Sequence, residues 1–178
     1  MWNLIAFILA VFAIAVFGAT VVGFYYNLVK LRNGANTAWL NIHAELEEMI
    51  SLTEKLVKKF SEYAEDETST LEAVIKSCYT LTYAETMQEN AEAHHNLTLA
   101  LDNLLMAAEN YPDLNSDKDF LKLTDQLAEN EYLITDYLQY YDDLVYRYKN
   151  KCQTFPTSIV ASYFGFEDLE FFETRKRG

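Results

Sequence analysis

The sequence predicts an all-α protein: an N-terminal transmembrane helix continuous with an antiparallel bundle of three long helices, followed by a short C-terminal helix. Two observations predict this fold. An apolar run at residues 4–24 carries no charged side chain and is long enough to cross a bilayer. Beyond it, apolar residues recur at alternating steps of three and four, which places them on one face of a helix. Only two prolines, Pro112 and Pro156, interrupt this pattern.

The N-terminal run is predicted to be an uncleaved membrane anchor. Its 21 residues, at a rise of about 1.5 Å each, span roughly 30 Å, which is the thickness of the hydrocarbon core of a bilayer. A cleaved secretory signal would have a basic residue before a shorter apolar core, whereas this chain begins with Met1, Trp2 and Asn3. We therefore assign residues 1–29 to the anchor, residues 30–166 to a helical bundle domain and residues 167–178 to a C-terminal tail.

The charges that flank the anchor predict its orientation. Lys30 and Arg32 follow the span closely, and no basic side chain precedes it. Because segments rich in lysine and arginine stay on the cytoplasmic side, we expect the N-terminus outside and the helical domain in the cytoplasm. Cys78 and Cys152 lie far apart and form no Cys-x-x-Cys motif, which suits a reducing compartment and two small apolar core residues.

Small residues recur every four positions within the span, at Ala15, Ala19 and Gly23. They form a small-xxx-small face that allows two membrane helices to approach closely, which would make the protein a homo-oligomer. Alanine is common in membrane spans, so a chance alignment is the alternative interpretation.

The first helix is predicted to continue from the membrane to about residue 64. Its apolar face has coiled-coil spacing, with Thr53 at the one polar position, and comprises Trp39, Ile42, Leu46, Met49, Leu56, Phe60 and Tyr63. A break at residues 65–68 precedes a second helix that runs to about residue 110, with a bend near residues 84–89. The apolar face of this second helix comprises Leu71, Val74, Cys78, Leu81, Ala91, Leu101, Leu104 and Ala108.

The third helix is predicted to start at an N-terminal cap made by Ser116 with Asp119. Pro156 either ends this helix or opens a short one. The segment before it, residues 111–116, is interpreted as a loop because Pro112 cannot continue a helix. The apolar face of the third helix comprises Phe120, Leu123, Leu127, Ile134, Tyr137, Tyr141, Leu144, Tyr148 and Phe155. A short helix over residues 157–164 follows. Three such faces cover one another best in an antiparallel bundle.

The charge balance narrows the classes of partner. The formal net charge is −13, and the first acidic residue is Glu45. An acidic surface argues against nucleic acid and against lying flat on anionic lipid, because both attract lysine and arginine. The tail carries Phe171 and Phe172 ahead of a basic end, and a solvated terminus is its default interpretation.

Candidate catalytic groups are few. Glu92 and His95 form a Glu-x-x-His pair, the spacing with which carboxylate-bridged di-iron bundles ligate metal from one helix. Such a site needs a second copy of the pair and two further glutamates, and the sequence has no second Glu-x-x-His. A Gly-x-Ser-x-Gly motif and Gly-rich phosphate loops are absent as well. We predict no catalytic residue, no cofactor and no metal site, and keep Glu92 and His95 as the weakest alternative.

Three blocks of residues form a recognisable pattern. The first comprises Tyr26, Asn27, Leu31, Arg32 and Asn33, followed by Trp39 and Asn41. The second contains Tyr111 and Pro112, and the third contains Phe155, Pro156, Phe164, Gly165 and Phe166. With these blocks the chain resembles the LemA family. The resemblance implies a bacterial cell-membrane protein with one N-terminal span, a helical domain and no established catalytic function.

The chain departs from the family pattern mainly in its charges. Glu45, Glu47 and Glu48 stand where the family tends to have a basic stretch. The apolar skeleton is kept, so we expect the fold to be shared more firmly than the partners.

These observations predict a non-enzymatic, single-pass membrane protein whose cytoplasmic bundle acts as a scaffold or adaptor for an unidentified protein partner. One alternative is a self-assembling membrane organiser. A second alternative is a metal-binding helical-bundle enzyme that uses Glu92 and His95.

Overall fold

The computed structural model describes residues 2–64, 66–166 and 168–172, and this part of the chain is all-α, as predicted. It contains six helices and no strand. In chain order these are α1 (Trp2–Ser61), α2 (Thr68–Thr82), α3 (Met87–Ala108), α4 (Pro112–Asn115), α5 (Lys118–Gln153) and α6 (Thr157–Tyr163).

Helix α1 is a single helix of 60 residues, so the predicted anchor and the first helix of the bundle are one element. Within the described residues it is the one helix long and apolar enough to cross a bilayer. Residues 2–20 are all exposed and carry no charge. At about 1.5 Å per residue these 19 residues extend for roughly 28 Å, which is close to the thickness of a hydrocarbon core.

The chain forms two compact units, and helices α1 and α5 contribute to both. The terminal unit consists of the described residues of Met1–Thr37 and Asp142–Glu170. The central unit consists of the described residues of Ala38–Tyr141 and Phe171–Gly178. The sequence-based division at residues 29 and 166 stays a prediction.

The apolar face of α1 forms one wall of the core of the central unit. Ile42, Leu46, Met49, Leu56 and Phe60 are all buried, at the steps of three and four that the sequence shows. Thr53, at the polar position in this series, is buried too. Its hydroxyl donates to the Met49 carbonyl oxygen at 2.7 Å. A hydroxyl that bonds back to its own helix can enter an apolar core without a lost hydrogen bond.

The predicted second helix is two helices, α2 and α3, which pack against each other across a four-residue connection. Thr86 begins α3 with a capping box. The Glu89 N–H donates to the Thr86 hydroxyl at 3.2 Å, and the Thr86 N–H donates to the Glu89 carboxylate at 3.0 Å. This reciprocal cap satisfies two of the otherwise free N–H groups at the start of the helix. At the predicted bend the helix therefore ends and a new one begins, so that α2 and α3 form a helical hairpin.

The N-terminal cap of α5 differs from the prediction. Ser116 does not cap this helix, since its hydroxyl donates to the Pro112 carbonyl oxygen of α4. The cap is Asp117, whose Oδ1 accepts the N–H groups of Asp119 and Phe120 at 2.9 and 3.0 Å. A carboxylate at this position also interacts with the positive end of the helix dipole, which a serine hydroxyl does much more weakly.

The same carboxylate joins the end of α1 to the start of α5. Its Oδ2 lies 2.9 Å from the Lys59 ammonium and accepts the Tyr63 hydroxyl at 2.9 Å. The Lys59 ammonium, followed by the Phe120 N–H, holds the pKa of the Asp117 carboxyl well below its usual range. Asp117 in turn raises the pKa of Lys59.

We expect Asp117 to make the central unit acid-sensitive. The folded-state pKa of Asp117 lies below its ordinary value of 3.8. The contribution of Asp117 to the free energy of unfolding is therefore complete above pH 3.8 and is lost as the pH falls through the folded-state pKa. Asp117→Asn should lower the denaturation midpoint at neutral pH and flatten its fall in acid. The measurement is chemical denaturation of the detergent-solubilised protein from neutral pH to below pH 3.8. The control is Asp125→Asn, at an exposed position of α5. Equal pH profiles for the two variants would contradict the assignment.

In the terminal unit, the end of α5 and α6 pack against α1. The buried centre of this cluster is formed by Leu28, Tyr148, Val160 and Ala161. Val21 and Phe24, which the sequence places in the span, are packed partly against it. The uncovered part of the apolar run therefore ends near Thr20. We call Leu28, Tyr148, Val160 and Ala161, with the side chains packed against them, the terminal cluster.

Candidate interaction surface

The end of α2 exposes a pair of tyrosines in the central unit, whose rings pack against each other at a tilt of 45°. The rings of Tyr79 and Tyr83 lie 4.5 Å apart, and each residue is 65% exposed. Ile75 is one turn earlier on the same face and is exposed as well. The opposite face of α2 is buried through Val74, Cys78 and Leu81. This outward aromatic face is thus additional to the apolar face that builds the core.

Two open grooves flank the tyrosine pair. One, of about 480 Å³, lies between α2 and α3, and the other, of about 350 Å³, lies between α2 and α1. Tyr79 and Tyr83 line both, so their rings form the ridge between the grooves. We call this ridge, its two grooves and Ile75 the tyrosine surface.

The tyrosine surface is rimmed by carboxylates. Glu54, Glu85, Glu89 and Glu92 line its grooves, and among the residues that the structure describes no lysine or arginine lines either groove. Glu89 is held in the capping box, and the N–H groups of Thr86 and Glu85 keep the pKa of its carboxyl below the usual range. Aromatic faces attract cations, and neighbouring carboxylates add to that attraction. The surface therefore suits a lysine or arginine side chain set among apolar groups.

Cys78 lies at the floor of the groove between α1 and α2. It is buried as predicted, and burial, with a smaller contribution from Glu54, raises the pKa of its thiol to about 11. A thiol reacts as a nucleophile through its thiolate form. At neutral pH this group stays protonated, so it serves as a small apolar core residue.

Glu92 and His95, the weakest alternative for a metal site, both lie on the surface of the central unit. Glu92 lines the groove between α2 and α3, and both Glu92 and His95 are exposed on α3. The neighbouring His94 is buried, and its Nε2 lies 3.0 Å from a Glu131 carboxylate oxygen of α5. Within residues 2–64, 66–166 and 168–172, no three histidine, cysteine or acidic side chains converge as a metal site would require.

The first block of pattern residues lies on α1. Tyr26, Asn27, Arg32 and Asn33 are exposed, whereas Leu31 packs against the terminal cluster. Asn41 is exposed in the central unit. Trp39 packs there against His43, with ring centroids 4.6 Å apart, and against Phe172, at 6.1 Å. The start of the tail is therefore buried through Phe172 rather than solvated.

The second and third blocks mostly shape helix ends. Tyr111 packs edge-on against Phe60, and Pro112 is the first residue of α4. Pro156 precedes α6, after the exposed Phe155. Gly165 ends α6 with a φ of 65°, the left-handed region that favours glycine.

The turn at Gly165 closes with the Phe166 N–H donating to the Ala161 carbonyl oxygen at 3.0 Å. This bond is typical of a helix that ends in a left-handed glycine. The turn sends Phe164 and Phe166 back onto Tyr25, with ring centroids 4.9 and 5.6 Å away. The role of this block in the structure is to fix α6 against α1.

The small residues of the span remain uncovered. Ala15, Ala19 and Gly23 are exposed along one side of α1, and a side chain at Gly23 would meet open space. A shallow groove continues along α1 from Gly23 past Tyr26 and Lys30 to Asn33.

The apolar periodicity predicts most of the core faces, but it wrongly places Phe155, which lies after α5 and is exposed, on the face of the third helix. It does not predict the tyrosine surface. The available signal was Ile75, Tyr79 and Tyr83, three large apolar side chains at four-residue steps lying off the buried face of α2.

Comparison with known proteins supports the resemblance seen in the three blocks. A search of the curated proteins gave no match to this chain. The LemA family model matches residues 38–178, which include the end of the first block and all of the second and third. The chain therefore belongs to the LemA family.

Proposed function

We propose that this protein is a non-enzymatic adaptor, held to a bacterial cell membrane by α1, with its helical domain in the cytoplasm. Family membership and the apolar N-terminal helix fit a membrane-associated helical protein. The observation that carries the adaptor role is the tyrosine surface, since exposed apolar patches with a polar rim are typical of protein interaction sites. Lys30 and Arg32, next to the span, favour the cytoplasmic orientation.

The partner we propose is a protein segment that carries lysine or arginine beside apolar residues. Tyr79 and Tyr83 would contact the cation and its aliphatic stem, while Glu54, Glu85 and Glu92 would balance the charge. The overall charge of −13 would also speed the approach of a basic partner.

Photo-crosslinking in intact membranes tests this role. A photoreactive amino acid at Tyr79 of the full-length protein should trap a protein adduct, and its crosslinked peptide should contain lysine or arginine. The matched control is Tyr140, a tyrosine of α5 that is also exposed. Adding Tyr83→Ala should lower the yield at position 79 by about threefold or more, because a cation–π contact is lost. Equal adducts at both positions, or none at position 79, would contradict the proposal.

A second candidate function is self-assembly through α1. It is favoured by the uncovered face of Ala15, Ala19 and Gly23, which the groove towards Asn33 continues. Close approach of two such helices is the usual consequence of small residues at this spacing. Disulfide trapping between copies carrying Ala19→Cys, with the off-face Phe17→Cys as control, distinguishes this candidate from a monomeric adaptor.

A further inference from the structure

Large apolar side chains lie on α6, and just before its start, on the side that turns away from the terminal cluster. Phe155, Ile159 and Tyr163, spaced four residues apart, are 77%, 61% and 83% exposed. The opposite face is buried through Val160 and Ala161. A short helix with one face packed and the other apolar and uncovered suggests that a second surface covers it.

The terminal cluster fixes the position of α6 along α1. Val160 and Ala161 share the cluster with Val21, Phe24 and Leu28 of α1. The turn after α6 places Phe164 and Phe166 on Tyr25. Tyr25 directly follows the apolar run of residues 4–24. Helix α6 therefore lies beside the point at which α1 leaves the hydrocarbon core.

The composition of this segment suits that depth. No charged side chain occurs from residue 154 to residue 166, although the chain as a whole has a net charge of −13. Aromatic side chains are enriched where a bilayer meets water. A helix with an apolar face can lie in that layer with the face buried a few ångströms into the lipid. An uncharged helix needs no anionic lipid for this contact.

We propose that α6 is a second membrane contact, whose exposed Ile159 and Tyr163, together with Phe155 just before the helix, lie in the interfacial layer of the bilayer that α1 spans. This inference rests on the proposed membrane anchoring. We assign lipid as the surface that covers this face, because the membrane-spanning part of α1 already places the bilayer beside α6. Two contacts at one interface, one through α1 and one through α6, restrict the tilt of the terminal unit on the membrane.

Depth measurement with spin labels tests the contact. The full-length protein, with Cys78→Ala and Cys152→Ala, is reconstituted in phosphatidylcholine vesicles and labelled at one introduced cysteine. The label sites are Ile159→Cys on α6, Val11→Cys in the span and Met106→Cys on α3, all exposed positions. Each label is exposed in turn to oxygen, which concentrates in lipid, and to a water-soluble nickel chelate.

The label at position 159 should collide more with oxygen than with the nickel chelate, as the label at position 11 does. The label at position 106 should show the reverse. Tyr163→Cys provides a second label on the same face should Ile159→Cys unfold, which circular dichroism would reveal. The same preference at positions 159 and 163 supports the proposal.

Three outcomes would overturn it, and they differ in what they remove. Labels that meet the nickel chelate at both positions 11 and 159 would remove membrane anchoring together with this inference. A lipid-exposed position 11 with a water-exposed position 159 would remove this inference alone. A label at position 159 shielded from both reagents would show a protein contact in place of lipid.

Discussion

Asn130→Asp is expected to destabilise the central unit by about 3 kcal/mol at neutral pH, because it places a buried carboxylate against another carboxylate. Asn130 is buried on α5, and its Nδ2 donates to the Glu45 carboxylate at 2.8 Å and to the Glu45 carbonyl oxygen at 3.1 Å. An ionised aspartate side chain carries no hydrogen and can only accept hydrogen bonds. The substitution therefore removes both hydrogen bonds that Asn130 donates to Glu45 and adds like-charge repulsion.

The penalty should shrink on acidification, since two carboxyl groups at this distance can share one proton. Chemical denaturation of the detergent-solubilised protein, followed by circular dichroism at neutral and acidic pH, measures both effects. Asn103→Asp is the matched control, because Asn103 is exposed on α3. Comparable midpoints for the two variants would show that the contact between Asn130 and Glu45 does not contribute to stability.

The sequence alone predicted the helical content and the core face of α1. Apolar residues at three- and four-residue steps settle which side of a long helix is buried, and Ile42, Met49 and Phe60 are all on that side. The rule held even at Thr53, because a buried threonine can bond to its own helix.

The sequence carries a signal for the break between α2 and α3, although its apolar periodicity predicts one helix with a bend. Thr86 and Glu89 have the spacing of a capping box, which is a start signal for a helix. The apolar steps continue on both sides of it, so periodicity alone joins the two helices into one. In such a case the cap is the more local signal and predicts the boundary better.

Contacts between distant residues account for most of what the sequence left open. Gly34 weakens a helix according to its propensity alone, by about 1 kcal/mol relative to alanine. In the terminal unit, however, an added Cβ would lie 3.3 Å from Leu144 of α5, so the glycine allows close helix packing. The burial of Phe172 against Trp39 is of the same kind. No local pattern reports which distant side chain will fill such a space.

The candidate site was harder to predict than the fold for a related reason. Tyr79 and Tyr83 have the same side chain as the buried tyrosines and differ only in their exposed position. That position can be recognised once the buried side of α2 has been assigned. Glu92 had a recognisable spacing with His95, yet its place in the structure is the rim of an aromatic groove. Surface function here depends on which residues remain uncovered after packing.

The apolar face of α1 can be tested with two leucines of the same helix and the same unit. Leu56 is fully buried, whereas Leu40 is 67% exposed. Leu56→Ala removes buried methyl groups and leaves a cavity, so it should destabilise the protein by about 3 kcal/mol. Leu40→Ala makes the same chemical change at the surface and should cost less than about 0.5 kcal/mol. Chemical denaturation of the two variants in detergent measures the difference. Equal losses would mean that α1 does not present its three- and four-step face to the core.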